Sequence, residues 1–182
     1  MFDALFTTTT EYKKLSHALS GKGACALFGL PASGRAQVYA ALCRQLDKPL
    51  CIVTPGEAEA TRFAADLNTL GIPAAVFPAR DYVLRPIEGT AREYEYRRLA
   101  VLGELVGGRL RAVAVPAEAL TQFTTPKEDF CANTRTLHAG DTLLRDDLLA
   151  ALFGAGYTRR AQVDGPGQFS VRGDIVDIFA PD

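Results

Sequence analysis

The 182 residues are 48% apolar and 23% charged, which suits one compact domain or two small ones and excludes wholesale disorder. A formal net charge of −1 lacks the basic excess of an autonomous nucleic-acid-binding domain, leaving at most a local basic patch. No apolar run approaches the about 20 residues of a membrane span, and no basic-then-apolar leader opens the sequence, so a cytoplasmic, membrane-free protein is expected.

Residues 24–28 read as a buried strand that runs through a Gly-rich loop into a helix over residues 33–46. Ala36, Tyr39, Ala40 and Cys43 fall at i, i+3, i+4 and i+7, one face of that helix. Residues 49–53 form the next strand, closed by Pro55 and Gly56. A second helix carries Ala60, Phe63, Ala64 and Leu67 at helical spacing, with Gly71 as its stop. Residues 74–77 make a short strand ended by Pro78, and residues 79–90 are loop-like, with Pro86 and Gly89.

Residues 91–106 read as a helix with a core stripe led by Leu99, Leu102 and Val106. The mixed charges of residues 92–98 suit a solvated helix face, with a binding surface as the alternative. Residues 111–115 are a fourth strand, and Pro116 opens a short helix. Alternating strands and helices predict a doubly wound, parallel-sheet α/β domain over residues 1–123, with a boundary at Thr124, Thr125 and Pro126.

Beyond the boundary a strand-like piece spans residues 136–138, followed by Gly140 and Asp141. A helix over residues 144–153 turns Leu148, Leu149 and Leu152 inward and is capped by Gly154. Residues 157–163 precede a turn at Gly165, Pro166 and Gly167. Phe169 and Val171 then alternate with Gln168, Ser170 and Arg172, the period of a half-buried strand. Gly173 and Asp174 mark a turn, and Ile175, Val176, Ile178 and Phe179 form a run expected to be buried on both faces. This second unit, residues 124–182, reads as a partial α+β domain whose last strands lack visible partners.

Two motifs could carry chemistry. Gly29 to Ala36 has the frame of a nucleotide-binding P-loop: a strand, two glycines at Gly29 and Gly34, then a helix. Arg35 stands where the phosphate-reaching Lys belongs, and Ala36 where a Mg²⁺-holding hydroxyl belongs; Ser33 precedes Gly34. Pro31 removes one N–H from the cradle. No ATP hydrolysis is expected here, and the loop reads as a connector without cofactor or metal. Arg172, between a core strand and a tight turn, is either a solvated strand-end charge or a fork placed to grip a carboxylate or phosphate.

No catalytic constellation stands out. Asp174 and Asp177 fall on opposite strand faces, and Asp146 and Asp147 suit the first turn of a helix. Cys25, Cys43 and Cys51 read as small buried hydrophobes in a reducing cytosol, Cys131 stays unassigned, and His17 and His138 are too scattered for a metal site.

The segment from Phe169 to Pro181 closely resembles one shared by two bacterial DNA-repair families, UvrB and the amino-terminal region of the transcription-repair coupling factor. The resemblance extends to the P-loop-like stretch, Phe77 with Pro78, residues 98–102, 115–120 and 148–157, and Gln162 with Val163. UvrB needs an intact P-loop and carries a long Tyr-rich insertion; here residues 78–97 are short and hold only Tyr82, Tyr94 and Tyr96. Both features favour the coupling-factor family.

That resemblance implies a first domain that is a degenerate P-loop, RecA-like module, and a second domain that recruits UvrA. It implies a longer parent whose distant motor domains use ATP and Mg²⁺ on double-stranded DNA to displace stalled RNA polymerase. Carried over residue by residue, the UvrA-gripping arginines match Arg159, after the pair Gly156 and Tyr157, and Arg172. A third arginine of the UvrB pattern corresponds to Ser170, so Arg160 is expected to compensate and Phe169 to add an apolar contact. The fragment is expected to be a monomer without enzyme activity. The alternative reading is a divergent UvrB-type ATP-dependent DNA helicase.

Overall fold

The computed structural model describes residues 7–21, 23–80 and 93–180. The expected loop around Tyr82, Pro86 and Gly89 and the start of the helix at residue 91 lie outside the described residues. Helix α1, Thr10–Ser20, begins where the Thr9 hydroxyl accepts the Tyr12 N–H at 3.3 Å. It is followed by α2 (Ala32–Gln45), β1 (Leu50–Thr54), α3 (Glu57–Thr69) and β2 (Ala74–Val76). Then come α4 (Glu93–Val106), β3 (Ala112–Pro116) and a short α5 (Ala117–Leu120).

The three strands form one parallel sheet in the order β1-β3-β2. β3 is buried throughout because it lies between two neighbours and under helices on both sides. On one face Ile52, Ala112 and Ala114 meet Ala36, Ala40 and Cys43 of α2 and Ala60, Phe63, Ala64 and Leu67 of α3. On the other, Val113 and Val115 join Phe77 and Leu110 under Val101, Leu102 and Leu105 of α4. A third cluster binds the back of α2 (Val38, Ala41, Leu42) to Tyr12 and Leu15 of α1. The helix faces expected of α2 and α3 are those observed. Gly71 ends α3 at φ +75°, with Ile72 N–H closing onto Leu67 C=O at 2.9 Å, a Schellman stop.

The expected strand at residues 24–28 does not form. The segment is irregular and exposed and has no ladder partner among the described residues. It flanks a hollow of about 560 Å³ beside β1, into which both Cys25 and Cys51 open. Of the three cysteines expected in the core, only Cys43 is there. An apolar run becomes a strand only where a neighbour pairs with its N–H and C=O groups, and among the described residues the outer edge of β1 pairs with no strand.

The stripe of α4 is rotated from the expected one. Leu99 and Val106 are exposed, while Arg98, grouped by pattern with a solvated face, is 6% exposed. Its guanidinium lies 4.1 Å from the Phe77 ring centroid. It donates to Pro78 C=O at 2.8 Å, Gln122 Oε1 at 3.2 Å and Thr124 Oγ1 at 2.8 Å. Gln122 in turn brackets Arg80, accepting its N–H and donating to its C=O. A buried cation is tolerated here because oxygen acceptors surround it.

Beyond Thr125 the chain forms α6 (Lys127–Asn133), α7 (Arg145–Gly154), β4 (Thr158–Arg159), β5 (Gln168–Arg172) and β6 (Ile175–Phe179). The strand-like piece at residues 136–138 is irregular. The stop of α7 is Gly156 at φ +83° rather than Gly154, with Tyr157 N–H bonded to Leu152 C=O at 2.9 Å. The last strands do have partners: β5 lies between parallel β4 and antiparallel β6. Gly173 at φ +61° takes the first position of the two-residue turn joining β5 to β6. As an edge strand β6 is not buried on both faces; Ile175 is 61% exposed, and Ile178 and Phe179 also face solvent.

Candidate partner-docking site

In the P-loop-like stretch the helix begins early. Gly29 takes φ +81°, but Pro31 is the residue preceding the helix and α2 already begins at Ala32. Ser33 and Gly34 are thereby drawn into the first helical turn, and the Arg35 N–H bonds Pro31 C=O at 3.1 Å. Ala36 is buried in the core beneath the sheet. The Arg35 side chain turns to Glu59 of α3, Nη1 to Oε1 at 3.7 Å. A carboxylate beside the helix start opposes an incoming phosphate and occupies the only cation of the motif.

The second sheet presents the expected arginines in a definite arrangement. β4 and β5 run parallel, with Thr158 level with Gln168 and Arg159 level with Phe169. The Arg160 N–H continues the ladder onto Phe169 C=O at 2.8 Å. Alternation puts Arg159 on the pleat face of Phe169, and Arg160 and Arg172 on that of Gln168 and Ser170. The three arginines therefore do not share one face. They also stand at different levels along it: Arg159 is level with Phe169 near the start of β5, the Arg160 N–H bonds back to Phe169 C=O, and Arg172 stands at the exit of β5 into the hairpin turn. All three are exposed.

Phe169 is not a surface residue. It is 0% exposed and meets Phe153 of α7 edge-on, ring centroids 5.1 Å apart. Its expected apolar contact with a partner is thus replaced by a packing role, anchoring β5 to α7. Ser170 is equally enclosed, at 1% exposure, and its hydroxyl donates to Asp177 Oδ2 at 3.1 Å. Asp177 also accepts from Arg172 Nη2 at 2.7 Å. The Arg172 guanidinium, with a smaller contribution from the Ser170 hydroxyl, holds the Asp177 carboxyl below the usual carboxylate range. Sequence reasoning missed this cluster; the signal for it was the antiparallel register, which sets Asp177 across from Ser170.

On the Gln168 face, Arg160 and Thr158 line a cleft of about 580 Å³ whose far wall is Glu93 and Tyr96 of α4. There the Tyr96 hydroxyl donates to Pro166 C=O at 3.1 Å. Gly167, at φ +72°, packs so closely that a Cβ would meet Tyr96 Oη at 2.5 Å. Burial pushes the Tyr157 hydroxyl up, so it stays protonated across the neutral range. Among the described residues no group of His, Cys, Asp and Glu could hold a metal ion. No described helix is long and apolar enough to cross a membrane.

Comparison with known proteins adds a family to this geometry. Residues 136–182 match the family model of the UvrB interaction domain, a span that includes α7 and the whole second sheet. The transcription-repair-coupling factor of Bacillus subtilis is 29% identical over 155 residues, covering 84% of this chain and 13% of that protein. That of Mycobacterium bovis is 36% identical over 159 residues, covering 83% and 13%. That of Staphylococcus aureus strain USA300 is 27% identical over 153 residues, again covering 83% and 13%. The chain spans about an eighth of the length of these relatives. Over most of its own length it is similar to the transcription-repair-coupling factors, and its residues 136–182 match the UvrB interaction domain.

Proposed function

We propose that this chain is a protein-docking module that recruits UvrA in transcription-coupled nucleotide excision repair. What carries the reading is a coincidence: the span matching the UvrB interaction domain is the span whose small sheet exposes Arg159, Arg160 and Arg172. Exposed arginines on a rigid sheet suit carboxylates of a partner, because the planar fork binds them in fixed geometry. With the three on two faces of the sheet, a partner that meets them all wraps round the sheet rather than lying flat on one face.

The first unit acts as scaffold, a degenerate RecA-like module without ATPase activity. The start of α2 at Ala32 and the pairing of Arg35 with Glu59 support this reading. They speak against the alternative of a UvrB-type helicase. ATP-driven translocation on DNA and contact with RNA polymerase belong to other parts of the parent protein.

Calorimetry of UvrA with the wild-type chain and with the Arg159→Ala/Arg172→Ala double variant tests the proposal. Binding by the wild type, lost in a variant that still unfolds cooperatively, is the expected result. Equal binding by both would remove these arginines from the interface, and no binding by either would overturn the docking role. Because charged anchors dominate, affinity should also fall as ionic strength rises.

A further inference from the structure

Arg172 is held before any partner arrives. Its Nη2 donates to Asp177 Oδ2 at 2.7 Å, and the same oxygen accepts the Ser170 hydroxyl at 3.1 Å. Ser170 and Asp177 are register partners on β5 and β6, so the ladder sets these two residues opposite each other. The inner member of this brace, Ser170, is buried, while the Arg172 side chain keeps 70% of its surface open.

An exposed ion pair contributes little to stability, so the arrangement has to be explained by what it does to geometry. An arginine side chain has many rotamers, and ordering one at an interface opposes binding. Here Nη2 is the one nitrogen of the guanidinium engaged among the described residues, and its second hydrogen, paired with a hydrogen of the nitrogen beside it, leaves one edge of the fork for an outside carboxylate.

We propose that Asp177 is a positioning residue: braced by Ser170, it presents the Arg172 fork to a carboxylate of the docking partner. This rests on the reading of Arg172 as a UvrA anchor. The opposite role would be competition, in which Asp177 occupies Arg172 and the partner must displace it. The two roles differ in sign. Positioning makes Asp177→Asn bind UvrA about three- to tenfold more weakly, the penalty of ordering one long side chain at the interface. Competition makes the same variant bind more tightly.

A double-mutant cycle with purified UvrA tests this, using Asp177→Asn, Arg172→Ala and both together. If Asp177 acts through Arg172, Asp177→Asn changes nothing in the Arg172→Ala background. Additive losses would mean a general structural effect, and tighter or unchanged binding by Asp177→Asn alone would overturn positioning. Nitrogen NMR of the Arg172 guanidinium without UvrA decides the orientation itself. Hindered rotation in the wild type, released in Asp177→Asn, is expected; free rotation in the wild type overturns the proposal. A wild-type chain that does not bind UvrA would overturn the docking role of Arg172, while the NMR result still decides whether the brace orders it.

Discussion

The two regions of the molecule use their apolar residues in different ways. From Tyr12 to Ala119 buried side chains gather into three clusters that cover both faces of the parallel sheet. Beyond Thr124 the buried apolar side chains among the described residues are two, Leu152 and Phe169, while Leu144, Phe153, Ile175 and Phe179 remain exposed. Stability is therefore concentrated in the first region and accessible surface in the second. Side chains that must be offered to a partner cannot also be packed away, and the arginine-bearing sheet lies in the region with the thinner core.

Truncating each region's core breaks the comparison most directly. Phe169→Ala should destabilise the second region by about 3–5 kcal/mol, because it removes the ring that joins β5 to α7. Far-ultraviolet circular dichroism in urea should then show an early transition that the wild type lacks. Phe169→Leu should restore most of the loss; a Phe169→Leu variant that folds normally yet fails to dock would return Phe169 to the interface. In the first region Leu67→Ala should cost about 2–5 kcal/mol and shift the main transition, since Leu67 is fully buried against the sheet. A single transition moved equally by both variants would mean that the regions unfold as one body.

Arg98 tests the joint between them. It donates to Thr124 at the start of the second region while its ring contact is with Phe77 of the first. Arg98→Met keeps the packing on Phe77 but leaves Pro78 C=O and Thr124 Oγ1 without the Arg98 donor, a loss of about 1–3 kcal/mol. Equilibrium denaturation should register that loss, and a neutral result would mean that water satisfies those oxygens.

The same contrast explains what the sequence made legible. The faces of α2 and α3, and the stop at Gly71, follow from spacing within one helix, so local pattern suffices. Residues 24–28 failed as a strand because pairing is a non-local property, invisible in an apolar run. Arg98 failed as a surface residue for a similar reason: its acceptors come from residues 78, 122 and 124, scattered along the chain. At the candidate site, the family resemblance pointed to Arg159, Arg160 and Arg172, but only strand register could show that they occupy two faces of the sheet. Register likewise places Phe169 in the core and Asp177 against Arg172.

The smallest expected effect is a titration that sharpens the comparison through two carboxylates. Glu104 in the first region is held low by Arg109, and Asp177 in the second by Arg172 and Ser170. In each case the folded state favours the ionised form, so the unfolded chain binds the proton more readily. The stabilisation is therefore fully present above the unfolded carboxylate pKa, about 4, and is lost as pH falls through the lower folded value. Asp177→Asn and Glu104→Gln should each be slightly less stable than wild type at pH 7, and each difference should shrink toward acid. Urea midpoints measured from pH 7 down to about pH 3 read this, and a difference that stays constant would assign the effect to lost hydrogen bonding rather than charge. If the division of labour is right, the two variants part company in binding: Glu104→Gln should dock UvrA like wild type, and Asp177→Asn should not.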